Sequence, residues 1–168
     1  MGCIKSKQNP YGTGVELKKF RPEFINPQVV RVIDGDTVEI KFRPHKNVKE
    51  YSLISARLHG IDTPETRIAK SIEEKMCGVR AKRVLEQICK TYTVEVEILE
   101  KSDKYSRPLA TLIYNKININ EWMVTNGLAV SYKGNKKMSF RESFPVDTPF
   151  KAPFYIFAGK RIVITDEQ

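Results

Sequence analysis

No apolar run in this 168-residue chain approaches the roughly 20 residues that a membrane-spanning helix needs. Its N-terminus also lacks the apolar stretch of a secretory signal. Sulfur is scarce: three cysteines, an odd number and widely spaced, provide neither a disulfide framework nor zinc-ligand spacing. Cys77 and Cys89 fall in a helix-period pattern and read as small apolar residues, a usage that suits a reducing compartment. What the chain has in excess is positive charge. Lys and Arg number 29 against 20 Asp and Glu, a formal net charge of +9. The excess is spread over the chain, about +3 in residues 1–27, +4 in 28–133 and +2 in 134–168. Such a surface favours polyanionic partners, nucleic acid or acidic lipid, without choosing between them. The length allows one hydrophobic core and is too short for two comfortable ones.

Residues 1–27 lack sustained periodicity and contain Pro10, Pro22, Pro27, Gly12 and Gly14, so they read as a flexible basic tail. Regular structure is expected from Val29. Residues 29–33 and 37–42 are β-branched runs around Asp34-Gly35-Asp36, a hairpin signal, and residues 51–58 form a third strand. Residues 68–89 carry a helix-period stripe (Ile68, Ile72, Met76, Val79, Val84, Leu85, Ile88) that Gly78 weakens in its middle. Residues 93–99 alternate as a half-exposed strand, and 109–114 form another, closed by a turn at Asn115-Lys116. Asn120 is placed to cap a short helix over 121–126, which Gly127 ends. Five short strands of this kind can close into a β-barrel with a helix plugging one end. In residues 134–168, 160–165 could add a strand, while Pro145, Pro149 and Pro153 point to irregular chain before it.

Charge-bearing residues cluster in three blocks. Asp34, Asp36, Asp62 and Glu65 sit in turns, where carboxylates commonly do no more than satisfy amides. If the first and third strands share a rim, however, oxygen ligands converge with no thiolate or imidazole cluster nearby. That donor set suits Ca²⁺ or Mg²⁺ and not zinc. Arg57 and Arg107 taken singly could be surface arginines paired with acids. Together with a bound cation they match what a phosphodiester centre requires, guanidinium forks on oxygens that gain charge in the transition state. Glu65, one short step past Asp62-Thr63-Pro64, is placed to orient or deprotonate water.

The blocks Val32-Ile33-Asp34-Gly35-Asp36-Thr37, Arg57-Leu58-His59-Gly60-Ile61-Asp62-Thr63-Pro64-Glu65-Thr66 and Asp103-Lys104-Tyr105-Ser106-Arg107 resemble the signatures of the thermonuclease, or staphylococcal nuclease-like, family. Asn120-Glu121 followed by Gly127-Leu128-Ala129 resembles its next helix and exit, so the likeness covers about residues 28–133. The resemblance implies a five-stranded OB-fold and a Ca²⁺-dependent nuclease acting on DNA and RNA, single strands preferred, leaving 3′-phosphates. By the same likeness Asp36 and Asp62 are carboxylate ligands of calcium, and Thr63 is its backbone-carbonyl ligand. Arg57 and Arg107 are the phosphate clamps, Glu65 the proposed general base, and Tyr105 and Tyr132 the residues contacting phosphate and nucleotide. Ser106 and Pro108 stand where the best-known relatives have glycines, which implies a stiffer loop around Arg107. The family's third helix is not evident after residue 133.

Met1-Gly2-Cys3-Ile4-Lys5-Ser6-Lys7 fits the acceptor pattern for N-myristoylation at Gly2, with Cys3 available for palmitoylation and lysines for anionic headgroups. In a eukaryotic setting this predicts peripheral attachment to the cytoplasmic side of a membrane, foremost the plasma membrane. Without acylation a cytoplasmic protein is expected, and nothing suggests an obligate dimer. Two rival readings compete with a nuclease. A noncatalytic nucleic-acid or protein-binding module has no need for the five charged residues together. A lipid-anchored basic adaptor explains the N-terminus and the charge but leaves that constellation without a task.

Overall fold

β-Branched runs separated by turn residues dictate the main strands. The computed structural model describes residues 22–134, 139–144, 152 and 154–164. Its first hairpin joins β1 (Ile25–Asp34) to β2 (Thr37–Arg43), which continues antiparallel to β3 (Ser52–Leu58). After the short β4 (Ile61–Asp62) comes α1 (Ile72–Thr91), then β5 (Glu95–Ser102) and β6 (Pro108–Tyr114). The chain goes on through β7 (Ile117–Asn118), α2 (Ile119–Thr125), β8 (Val130–Ser131) and α3 (Phe140–Ser143). A last hairpin pairs β9 (Phe154–Phe157) with β10 (Lys160–Val163). The first three residues of β1 thus lie inside the expected tail.

The main sheet runs β1-β2-β3-β6-β5, with β7 paired to β6. All pairs in it are antiparallel except β3 with β6, which are parallel through Arg57↔Leu109 and Leu58↔Ala110. The five expected strands are therefore present, but as a mixed sheet and not as a hydrogen-bonded closed barrel. β1 and β5 approach within 8 Å, Cα to Cα, yet no strand pairing joins them among the described residues. Register shifts break the ladders of both strands, and irregularities of this kind terminate pairing at sheet edges.

The core lies between the sheet and α1: Val38, Ile40, Ala56, Leu58, Ala110 and Leu112 from the strands meet Ala81, Val84, Leu85 and Ile88. Ser71 caps α1, its Oγ accepting from the Glu74 amide at 3.1 Å, so the helix begins four residues later than expected. Ile68, Ile72 and Met76 of the expected stripe are exposed instead of buried. The inward face is set by Gly78 and Ala81, which admit a close neighbour. A Cβ on Gly78 would stand 2.6 Å from the Pro64 carbonyl oxygen and 2.7 Å from that of Glu65. Gly78 therefore does not interrupt the helix; it lets the helix seat against the loop that carries Glu65.

Asn120 is likewise not a cap. Asn118 caps α2, its Oδ1 accepting from the Glu121 amide at 3.3 Å. Asn120 is buried, accepts from the Leu112 amide at 3.2 Å, and donates through Nδ2 to the carbonyls of His59 and Ala110 at 3.0 Å each. One side chain thereby ties the end of β3, the middle of β6 and α2 together. Gly127, at φ +67°, ends α2 as expected. The strand expected over 160–165 is present as β10, and β9 stands where irregular chain was expected; their hairpin buries Tyr155, Phe157 and Ile162 in the same core. The Phe157 ring meets Tyr92, Tyr114 and Trp122 at centroid distances of 5.2, 5.9 and 5.2 Å. β9, four residues long and next to Pro153, is too short to announce itself by periodicity. No helix among the described residues is long and apolar enough to cross a membrane.

Candidate active site

Three chain segments meet at the open end of β2 and β3. The turn after β1 presents Asp36, the end of β3 presents Arg57, and β4 presents Asp62 with Thr63 following. Asp36, Asp62 and Thr63 are all buried, at 4%, 5% and 2% exposure. Arg57 bridges the two carboxylates: Nη1 lies 2.7 Å from Asp36 Oδ1 and Nη2 2.7 Å from Asp62 Oδ1. Nη2 also donates to the Ile61 carbonyl at 3.2 Å. Asp36 is held further by the Thr63 amide, donating to Oδ2 at 3.0 Å, and by the Thr37 hydroxyl, donating to Oδ1 at 3.0 Å. Gly35 makes the turn's approach to Thr63 feasible, since a Cβ there would stand 2.9 Å from Thr63 Oγ1.

These contacts set the electrostatics. Burial pushes the Asp36 carboxyl above the usual carboxylate range, and Asp62 adds to this; Arg57 and the Thr63 and Thr37 hydrogen bonds pull the other way without cancelling it. Burial acts to lower the Arg57 guanidinium, but Asp36, Asp62 and Glu65 outweigh it and hold it above its ordinary value. The site is thus a dry anionic pair around one cation, with Glu65 inside its electrostatic reach.

Arg107 arrives from the other side of the sheet. It directly precedes β6, and the parallel joint of β6 to β3 sets it beside the end of β3 that holds Arg57. Asp103 fixes it: Arg107 Nε and Nη2 both lie 2.7 Å from Asp103 Oδ2, and the Arg107 amide donates to Oδ1 at 2.9 Å. Arg107 Nη1 reaches Thr37 Oγ1 at 3.4 Å, so Thr37 links this arginine to the Asp36 carboxylate. Ser106 adopts φ +62°, a left-handed conformation that costs a non-glycine residue about 1–2 kcal/mol. Pro108 is buried at the first position of β6, where a missing N–H is tolerated.

Asp36, Arg57, Asp62, Thr63 and Arg107 therefore converge. The exposed Tyr105 lies beside them, its ring centroid 5.6 Å from the Arg107 guanidinium carbon. Tyr132 follows β8, its amide donating to the Gly60 carbonyl at 2.8 Å. Gly2 and Cys3 lie outside the described residues. Sequence reasoning gave no role to Thr37 or Asp103, read Asn120 as a helix cap, and took Gly78 as a weak point of its helix. Only Asp103 carried a usable signal, an acid four residues before Arg107 across a tight turn.

The donor set bears on a metal. Asp36 and Asp62 each set an oxygen against the same guanidinium, and the burial that raises Asp36 is not cancelled by Arg57. That chemistry fits a hard divalent cation such as Ca²⁺, with the Thr63 backbone carbonyl as a further oxygen ligand. Among the described residues no group of three His, Cys, Asp or Glu could enclose an ion, so water and substrate oxygens would supply the remaining positions.

Comparison with known proteins agrees with this geometry. The staphylococcal nuclease homologue profile matches residues 55–144. The chain is similar to an uncharacterized endonuclease of Haemophilus influenzae, 34% identical over 63% of this chain and 52% of that protein. It is also similar to endonuclease YncB of Bacillus subtilis, 26% identical over 83% of this chain and 64% of the relative. A micrococcal nuclease of Shigella flexneri is 32% identical over 63% of this chain and 58% of its own length. The chain thus spans between half and two thirds of the length of these relatives.

Proposed function

The chain belongs to the staphylococcal nuclease homologue family, and from that premise we propose that it is a Ca²⁺-dependent nuclease. In this reading it hydrolyses phosphodiester bonds of DNA and RNA, prefers single strands, and leaves 3′-phosphates. The observation that carries the proposal is the convergence of Arg57 and Arg107 on the buried Asp36–Asp62 pair, joined through Thr37. A site built only for folding has no need to gather two partly buried guanidinium groups around buried carboxylates, at a considerable desolvation cost.

In the proposed reaction Arg57 and Arg107 bind the non-bridging phosphate oxygens and match the charge those oxygens gain in the transition state. Asp103 holds the Arg107 fork in register, and Thr37 orients it toward the carboxylate pair. Glu65 positions the attacking water and accepts its proton as the new P–O bond forms, while the bond to the 5′ oxygen breaks in line and that oxygen takes a proton from solvent to leave as a hydroxyl. Asp36, Asp62 and the Thr63 carbonyl would hold the cation, which when bound would polarise the phosphate and offset its charge. Tyr105, beside Arg107, and Tyr132 contact the terminal phosphate and nucleotide.

The test is a cleavage assay on single-stranded DNA and RNA with purified protein, with end-group analysis of products. Cleavage that needs added Ca²⁺, stops with chelator and leaves 3′-phosphates is expected; a protein that binds but never cuts, whichever divalent metal is added, refutes the proposal. We further propose that the chain acts as a monomer and that acylation at Gly2 and Cys3 attaches it to the cytoplasmic face of a membrane, most simply the plasma membrane. A Gly2→Ala protein that stays on membranes as well as wild type removes that attachment.

A further inference from the structure

Strand alternation divides β2 and β3 into two faces. Ile40, Phe42 and Ala56 are buried in the core, while Thr37, Glu39 and Lys41 share the opposite face with Arg57, Ser55 and Leu53. The register pairs Thr37 with Arg57, Glu39 with Ser55, and Lys41 with Leu53, so a strip of side chains runs straight out of the candidate active site. At its far end stand two large apolar side chains, Leu53 at 64% and Tyr51 at 54% exposure. Lys41 Nζ lies 5.4 Å from the Tyr51 ring centroid, which fixes Tyr51 on this face and leaves a cation beside an aromatic surface. The one acid on the strip, Glu39, lies 3.4 Å from Arg31 of the neighbouring strand. Isolated exposed apolar residues need no explanation. Two on one face, next to a lysine and in line with a phosphate-handling cleft, form a pattern.

We propose that Tyr51, Leu53 and Lys41 form a second binding site for the single-stranded nucleic acid that leads away from the cleft; this rests on the nuclease reading above. A base stacks on Tyr51 and against Leu53, and Lys41 meets a backbone phosphate. Duplex bases are already stacked on one another and present no free faces to such a platform, so the site selects single strands. At about 3.3 Å per residue, Leu53 lies roughly 13 Å and Tyr51 roughly 20 Å along the strand from Arg57. A dinucleotide held at Arg57 does not bridge that span, whereas a longer single strand running along the strip does.

The experiment uses the full chain, wild type and the Tyr51→Ala/Leu53→Ala double variant, whose exposed positions leave the core intact. Cleavage is measured on a dinucleotide and on a thymidine oligonucleotide of roughly twelve residues, and binding of the labelled oligonucleotide is measured in chelator. The ratio of kcat/KM on the long substrate to that on the short one should fall about tenfold, with oligonucleotide affinity falling alike. In Lys41→Ala the slope of log affinity against log salt should flatten by about 0.7. An unchanged ratio with unchanged affinity overturns the second site and leaves the nuclease reading intact; the patch then serves another class of partner. A wild type that binds the oligonucleotide, loses affinity in the double variant and cuts nothing keeps the second site and sinks the nuclease reading. A wild type that neither binds nor cuts overturns both.

Discussion

Gly78→Ala sets two effects of known size against each other. In an exposed helix interior the change would stabilise by about 0.8–1 kcal/mol, the difference in helix propensity. Here the new Cβ would stand 2.6 Å from the Pro64 carbonyl oxygen and 2.7 Å from that of Glu65, and both obstacles are backbone. To restore an ordinary contact, α1 and the loop must separate by about 0.8 Å. Overpacking of this kind costs about 1–3 kcal/mol, so it wins or breaks even, and the net change is about 0–2 kcal/mol of lost stability. For a chain of this length that lowers Tm by up to about 8 °C. The larger effect falls on chemistry, because the displaced loop carries Glu65. A misplacement near 1 Å can cost about a hundredfold in rate, so kcat should fall by one to two orders of magnitude in a protein that remains folded. Thermal unfolding and turnover measured on the same preparation decide the matter. A variant stabilised by about 1 kcal/mol with normal kcat would show that the helix–loop contact does not hold Glu65.

Arg57→Ala should destabilise the fold as well as abolish turnover: it strands two buried carboxylates, a change that costs about 3–5 kcal/mol and is readable in urea unfolding. Arg107→Ala, whose side chain is more exposed and whose partner is more accessible, should lose turnover with a much smaller shift of the urea midpoint. Burial alone would raise the Asp103 carboxyl, but hydrogen bonds from Arg107 and from the Tyr105 amide outweigh it and hold it below the ordinary value of 3.8. Its contribution to stability is therefore complete above that value and lost as pH falls through the lower folded value. Urea midpoints of wild type and Asp103→Asn should consequently converge as the pH drops below 3.8, and a gap that persists unchanged into strong acid would refute the assignment. Asn120→Ala leaves the buried Leu112 amide without its side-chain partner and should cost about 1–3 kcal/mol, whereas an unaltered Tm would mean that water replaces the amide group.

Much of the molecule was legible because local rules govern it. The hairpin at Asp34-Gly35-Asp36, the ends of β2, β3 and β6 near their expected positions, and the stop at Gly127 follow from turn chemistry and strand alternation. Asp36, Asp62, Arg57 and Arg107 could be grouped because carboxylates and guanidinium groups suit a metal–phosphate centre wherever the chain brings them. The misjudged elements share one cause. The apolar stripe of α1 was expected to include Ile68, Ile72 and Met76, but the buried side of a helix depends on what lies next to it, and that neighbour is the Pro64–Glu65 backbone. Asn120 looked like a cap because asparagine favours caps; its burial against β6 depends on contacts across 8 and 61 residues.

The sequence by itself determined the five main strands and the two longer helices to within a few residues, their turns, and the chemical character of the site: oxygen donors, two guanidinium groups, and a surface rich in positive charge. Those properties depend on side-chain identity and on neighbours a few residues away. The tertiary structure decided which groups share a bond. It joined Arg57 to both Asp36 and Asp62, tied Arg107 to Asp103 and Thr37, and aligned Tyr51, Leu53 and Lys41 with the cleft. Among the described residues it also left β1 and β5 without a strand pairing between them, where five strands alone suggested a closed barrel. Each outcome depends on strand register and on the parallel joint of β3 to β6, and register is set by packing of the whole core, not by any local stretch of sequence.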